Sequence, residues 1–428
     1  MSSSVSSLTP SSRVAPRDVA AVAAGAAVEF FDFSVYATFS VMIGHAFFPS
    51  ESAVASLLLS LSVFGLGFLV RPLGALLIGS YADKAGRKPA MLLTMVLMAI
   101  GTGGLVVLPD YATLGIAAPI LLVVVRMIQG LAWGGEAGPA TTFIMEAAPP
   151  HRRGLFTSWQ IVAQGAAGIS AGAIGYLLSV VLSDEQLASW GWRIPFACGL
   201  LILPISIYLR RHLRDTLVPH DESTETSQRA LIKEVFSQHS RWIVVGILII
   251  SGSTISQYFL NYMATYALHD LHYPTRVAML APVLIGIGVM VFSLLGGWMA
   301  DRYGRVLTIV VPRLLLTLAL WPGLVLINRV HSEVLFFCIV ALFTALQCIS
   351  GAGLLVAVCE VFPKQVRSTG FSLVYALGIT LFGGSAQLIF SWLSDITGDP
   401  VSPAWYLIAT NILCMLAALT LGKKEARR

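Results

Sequence analysis

The chain has 428 residues, 56 % of them hydrophobic and only 11 % charged, where a soluble domain carries roughly 25 % charged residues. A soluble fold of this length cannot hide so much apolar surface, so the solvent for most of the chain is lipid. The formal charge of +5 does not point to nucleic acid, because the basic residues sit in short clusters between apolar runs, the pattern of membrane topology.

Residues 1–18 are Ser-rich and are expected to form a disordered cytoplasmic N-terminus. They do not read as a cleaved signal, since the apolar run that follows carries Glu29 and Asp32. Runs long enough to cross a ~30 Å hydrocarbon layer predict helices over 19–45, 53–81, 89–108, 113–146, 154–183, 191–210, 241–268, 277–300, 306–327, 333–360, 368–394 and 402–421. The one long polar stretch, 211–240, separates an N-terminal six-helix half, 19–210, from a C-terminal six-helix half, 241–421, and 422–428 remain as a tail. The expected fold class is an all-α membrane protein of twelve transmembrane helices in two halves. With the N-terminus inside, Lys84, Arg87, Lys88, Arg152, Arg153, Arg302, Arg305, Lys364, Arg367, Lys423 and Lys424 face the cytoplasm. The opposite loops hold little beyond Arg193, Arg276 and Arg329. This asymmetry predicts cytoplasmic termini and a cytoplasmic central loop.

The halves echo each other. Gly79, Asp83, Gly86 and Arg87 return at the same spacing as Gly297, Asp301, Gly304 and Arg305, and Glu146 and Arg153 return as Glu360 and Arg367. Glycines let flanking helices approach, and the Asp can pair with Arg or cap a neighbouring helix. Topology-setting charge explains Lys84 and Lys88 but not the repeated spacing, so these residues read as a cytoplasmic gate made in one state and broken in another.

The repeated loop resembles the signature of the major facilitator superfamily. Glu29 to Asp32, the stretch from Gly65 to Gly74 around Arg71 and Pro72, Arg126 to Gln129 leading to Glu136, and Trp190 to Pro195 resemble its metabolite:proton symporters. Phe47 to Pro49 and Thr157 to Gln160 are similar to citrate and tricarballylate symporters. The resemblance runs over essentially the whole chain. It implies the major facilitator fold, a bacterial inner-membrane location and proton-coupled uptake of a metabolite.

Glu29, Asp32, Arg71, Arg126 and Glu136 lie within apolar helices, where a central charge costs about 2.5–3.5 kcal/mol on the insertion scale. Glu29, Asp32 and Tyr36 share one face of the first helix, and Arg126, Gln129 and Glu136 one face of the fourth. Asp32 and Arg126 come to similar depth and are placed to meet near mid-membrane. Arg lowers a neighbouring carboxyl pKa while desolvation raises it, so separating such a pair loads or releases a proton. A purely structural ion pair is the alternative. Proton-coupled sugar carriers of the superfamily place an Asp and an Arg at matching positions, and that resemblance supports coupling. Glu29 is a second candidate, and Glu136, among glycines, is either a proton site or a hydrogen-bond hub. Arg71 either contacts substrate or snorkels toward the cytoplasmic surface.

The C-terminal half reads as holding almost no deep charge. Its seventh helix carries a polar stripe instead: Thr254, Gln257, Tyr258, Asn261, Tyr262 and Thr265. With Gln160, Gln164 and Gln347, it predicts a polar cavity between the halves.

No nucleotide loop or zinc-protease motif appears, and Cys198, Cys338, Cys348, Cys359 and Cys414 are isolated thiols with no metal-ligand spacing. The chain is therefore expected to be no enzyme, to hold no cofactor or metal, and to draw on ion gradients, with the proton as coupling ion and Na⁺ left open. The expected activity is symport of a small organic acid, a tricarboxylate such as citrate or tricarballylate, held by Arg126, Arg71, Tyr36 and the amides. The family-level alternative is another metabolite: a dicarboxylate, a monocarboxylate, or an osmolyte such as betaine or proline. An efflux antiporter would want an acidic aromatic cavity in both halves, and a sensor would want a sizeable soluble domain. Lipid and the solute are the expected partners, nucleic acid is not, and a monomer is expected to suffice.

Overall fold

In lipid a chain must satisfy its own backbone N–H and C=O groups, which a helix does within one segment. The computed structural model describes residues 30–85, 87–134, 148–201, 237, 239–363 and 366–425, and contains no strand among them. Each of the twelve expected helices has a helical counterpart. They are α1 (Phe30–Thr38 and Ser40–Phe47), α2 (Ala53–Leu69, then Arg71–Ala85), α3 (Arg87–Val107), α4 (Ala117–Gly134) and α5 (Arg153–Val181). After α6 (193–201) come α7 (Ser240–His269), α8 (Thr275–Tyr303), α9 (Arg305–Val330) and α10 (Glu333–Val361). The last are α11 (Arg367–Gly378, a π turn Ile379–Gly383, then Gly384–Thr397) and α12 (Pro403–Glu425). Among the described residues nine helices are long and apolar enough to cross a membrane, or up to ten with the bent α1 as one span.

Helices α1 and α2 are interrupted where hydropathy predicts continuous spans. The parts of α1 meet at an angle of 69°. At the bend the Ala37 carbonyl accepts from Ser40 Oγ at 3.1 Å and from Thr265 Oγ1 of α7 at 3.4 Å, so hydroxyls compete for an oxygen of the helical ladder. In α2 the break falls at Val70, directly before Arg71. The expected ends of the fourth and sixth helices, 135–146 and 202–210, lie outside the described residues, as do most of 1–29 and the central loop.

The halves are joined mainly by α5 and α8, which lie against each other along much of their length. Glycine permits it: a Cβ on Gly165 would stand 2.7 Å from the Gly286 carbonyl oxygen, and one on Gly297 2.6 Å from that of Gly154, closer than any side chain allows. Helix α7 is the most enclosed span, 72 % of its apolar window being buried against 50 % or less for the others. Its position between α1, α11 and α12 makes it the wall of the interface. Large apolar side chains such as Leu76, Val107, Val181 and Leu318 point outward, where lipid replaces water as their solvent.

Candidate functional site

Asp32 on α1 and Arg126 on α4 meet. Arg126 Nη1 lies 3.6 Å from Asp32 Oδ2, and both residues are buried. Gln129, one turn beyond Arg126, completes the contact. Its amide donates to Asp32 Oδ2 at 2.7 Å and its carbonyl accepts from Arg126 Nη1. Thr102 of α3 donates to Asp32 Oδ1 at 3.0 Å. The carboxylate thus has a cation and two neutral donors, the satisfaction a buried charge requires. Tyr36 lies beneath: its ring sits 3.7 Å from the Arg126 guanidinium carbon, and its hydroxyl donates to the Ser60 carbonyl at 3.1 Å. It is fully buried, so it supports Arg126 rather than facing the cavity.

Arg71 opens the second segment of α2 and turns inward. Its guanidinium is sandwiched between Phe68 and Trp133, 3.6 and 3.9 Å from the ring centroids. Across the interface it meets the Tyr258 hydroxyl of α7. Its Nε is buried without a partner, and among the described residues no carboxylate pairs with it. Arg71, Arg126, Asp32, Gln129 and Trp133 line one small cavity of about 30 Å³. A second cavity, of about 60 Å³, lies between the halves and is lined by Phe33, Gln164, Gln257, Tyr258 and Asn261 among others. At roughly 10–15 Å³ per water, it admits a handful of waters and no tricarboxylate.

The polar stripe on α7 divides. Gln257, Tyr258 and Asn261 line the interface cavity, Thr265 Oγ1 meets Ser40 Oγ of α1 at 2.9 Å, and Tyr262 turns toward Asp270. Gln347 gives its amide to the Ser253 carbonyl at 2.9 Å, and Gln160 is buried; neither lines the two cavities described. Glu29 and Glu136 lie outside the described residues.

At the end bearing the repeated loops the halves are tied by charge. Asp301 accepts from the Gly154 and Leu155 backbone N–H groups at 2.8 and 3.0 Å, capping the first turn of α5 from the other half, and it lies 3.9 Å from Arg305. Glu360 pairs with Arg153 at 3.1 Å and with Arg305 at 3.2 Å. Arg367 begins α11 and has a buried, unpartnered Nε, and Gly304, at φ 92°, forms the break between α8 and α9. The side chains of Gly79, Asp83 and Arg87 are not among those described, and Gly86 and Glu146 lie outside the described residues. At the opposite end Thr275 of α8 donates to Asp184 of the α5–α6 connection at 2.9 Å.

The reading of the C-terminal half as almost free of deep charge is corrected by Arg313, which is 0 % exposed. It bonds Asn411 of α12 at 2.8 Å, Ser350 of α10 at 3.1 Å and the Gly252 carbonyl of α7 at 3.2 Å. Neutral oxygens gathered from three helices solvate it. The signal was an Arg inside an apolar run, but its partners lie on helices that no spacing rule connects to it.

Two helical halves around a central polar seam, with a buried Asp–Arg pair and ion pairs between the halves, are the architecture of a multi-pass membrane transporter, not of an enzyme. Residues 22–384 match the model of the Major Facilitator Superfamily, and the chain belongs to that family. It is 33 % identical over 409 residues to the citrate-proton symporter of Klebsiella pneumoniae, covering 95 % of this chain and 91 % of that one. It is also 30 % identical to the proline/betaine transporter of Salmonella typhimurium (96 % and 84 % covered) and 33 % identical to the alpha-ketoglutarate permease of Escherichia coli (95 % and 93 %). Among solved structures a D-xylose-proton symporter superposes with a TM-score of 0.75 at 18 % identity, covering 95 % of this chain and 96 % of the other. That likeness concerns the fold alone.

Proposed function

We propose that the chain is a proton-driven symporter that takes up a small organic acid, with a tricarboxylate such as citrate or tricarballylate as its substrate class. The observation that carries the reading is Arg71: a half-buried arginine beside Arg126, facing the opposite half, with a buried unpartnered Nε and no carboxylate paired with it among the described residues. A substrate carboxylate would supply the missing charge through a two-pronged bond. Similarity to the citrate-proton symporter supports the same choice. Arg71 and Arg126 both line the smaller cavity, and two guanidinium groups there favour a solute carboxylate over the ammonium group of a betaine-like solute.

In this reading Asp32 is the proton carrier. Its contacts with Arg126 and Gln129 tie a proton on the carboxyl to the position of helices α1 and α4. A polyanion entering against an inside-negative potential meets about 2.3 kcal/mol per charge per 100 mV, and co-transported protons offset it. The contacts of Asp301 and Glu360 are the cytoplasmic gate, and their release lets the halves part. The protein works as a monomer in the bacterial inner membrane, its halves at 19–210 and 241–421 joined by the loop 211–240, with both termini cytoplasmic.

The deciding experiment is uptake into proteoliposomes of labelled citrate, tricarballylate, α-ketoglutarate, betaine and proline, with and without an imposed pH gradient. Gradient-dependent accumulation of a tricarboxylate is expected. Accumulation of betaine or proline alone would move the protein to the osmolyte branch.

A further inference from the structure

Gln387, Ser391 and Ser394 follow at i, i+4 and i+7 on α11 and so share one face. That face is turned into the protein, the three residues being 0 %, 2 % and 8 % exposed. Yet both amide atoms of Gln387 and the Ser394 hydroxyl have no hydrogen-bond partner among the described residues, and the Ser391 hydroxyl faces only Tyr262. Buried polar groups are satisfied by protein or by ordered water. Polar side chains that hold membrane helices together do so by hydrogen bonds across the interface, and a line of them without such bonds suits a file of water.

Both ends of the line lead somewhere. Inward, Gly383 lies one turn before Gln387, and a Cβ there would stand 3.2 Å from the Tyr258 ring. The Tyr258 hydroxyl meets Arg71. Outward, the fully buried Tyr262 packs its ring 5.8 Å from Phe390, and its hydroxyl faces Ser391 and lies 3.5 Å from Asp270 Oδ2. The Asp270 carboxylate is 5 % exposed, and the 20 % exposed His269 holds Nδ1 3.7 Å from it. The other titratable groups near this mouth are Tyr266, whose hydroxyl donates to the Pro400 carbonyl at 2.8 Å and accepts from Asn328, and Asp399 beyond it.

We propose that Asp270, Tyr262, Ser391 and Gln387 line a proton-conducting water file through the C-terminal half, from the membrane face at the α7–α8 turn to Tyr258 and on, through the cavity that Arg71 and Asp32 share, to the Asp32 carboxylate as acceptor. Each water or hydroxyl takes one proton and passes on another, so no charge accumulates along the file and no redox partner is needed. Asp270, with His269 beside it, collects the proton at the mouth. The path rests on the reading of the chain as proton-coupled, and it gives Asp32 a route to the membrane face through the other half.

Hydroxyl-radical footprinting of the full chain in nanodiscs tests the water without any substrate. Tyr262 is expected to oxidise several-fold faster than the equally buried Tyr36, and Gln387→Leu is expected to bring the two rates together. A Tyr262 no faster than Tyr36 overturns the proposal whatever the solute. In pyranine-loaded proteoliposomes with citrate as probe, Gln387→Leu and Ser391→Ala should slow proton entry about tenfold while citrate-for-citrate exchange at equal pH stays within twofold. If both rates fall together the face is structural, and if neither falls it conducts nothing; either result overturns the path. Should the wild-type protein not carry citrate, the substrate reading fails and the footprint alone decides the path.

Discussion

Asp301 and Gly154 belong to opposite halves of the chain, and the carboxylate of the first accepts the backbone N–H of the second at 2.8 Å. The same carboxylate takes the Leu155 N–H at 3.0 Å, so one side chain caps a helix that it does not belong to. Hydrogen bonds to a charged group contribute about 1.5–3 kcal/mol each. Asp301→Asn keeps the shape but loses the charge. It should change turnover about tenfold while the apparent affinity for solute stays within a few-fold, as read from initial uptake rates. A large loss of affinity at normal turnover would make Asp301 a binding residue.

Glu360 holds Arg153 of one half and Arg305 of its own. If that tie opens during each cycle, a reducible thiol cross-linker long enough to replace the two side chains, joining Arg153→Cys to Glu360→Cys, should lock the halves and stop uptake, and a reductant should restore it. Uptake that continues in the oxidised protein would show that this edge does not move.

Arg71 is expected to set affinity. Arg71→Gln removes a charge-assisted bond worth about 1.5–3 kcal/mol, so KM should rise on the order of 10- to 100-fold, with Arg71→Lys recovering little because an ammonium lacks the planar fork. Unchanged KM in Arg71→Gln would remove this residue from the solute site.

Asp32→Asn fixes a neutral side chain where the Arg126 contact stands at 3.6 Å. It should abolish accumulation driven by a pH gradient and retain solute exchange. Normal pH-driven accumulation in this variant would leave the Asp32–Arg126 pair structural and pass coupling to another carboxylate.

Arg313 draws Ser350, Asn411 and Gly252 to one point. Arg313→Ala strands those neutral groups, at about 1–3 kcal/mol for each left without a partner, seen as a lower unfolding temperature in detergent. An unchanged transition would mean that water replaces the guanidinium without loss.

Hydropathy alone determined that the chain lives in lipid and where its helices run, because membrane insertion depends on the apolar content of each segment and not on its neighbours. The repeat of Asp83 and Arg87 as Asp301 and Arg305 was likewise a matter of linear spacing. Depth along two helices also marked Asp32 and Arg126 as neighbours, since rise per residue is fixed. Only the tertiary structure decided that Gln129 bridges them. It also divided the α7 stripe among the cavity, α1 and Asp270, and surrounded Arg313 with neutral oxygens. Those outcomes depend on how each helix is rotated about its axis and on close approaches such as Gly165 to Gly286. Such approaches join residues far apart in the chain, and no local periodicity encodes which side of a helix will find which partner.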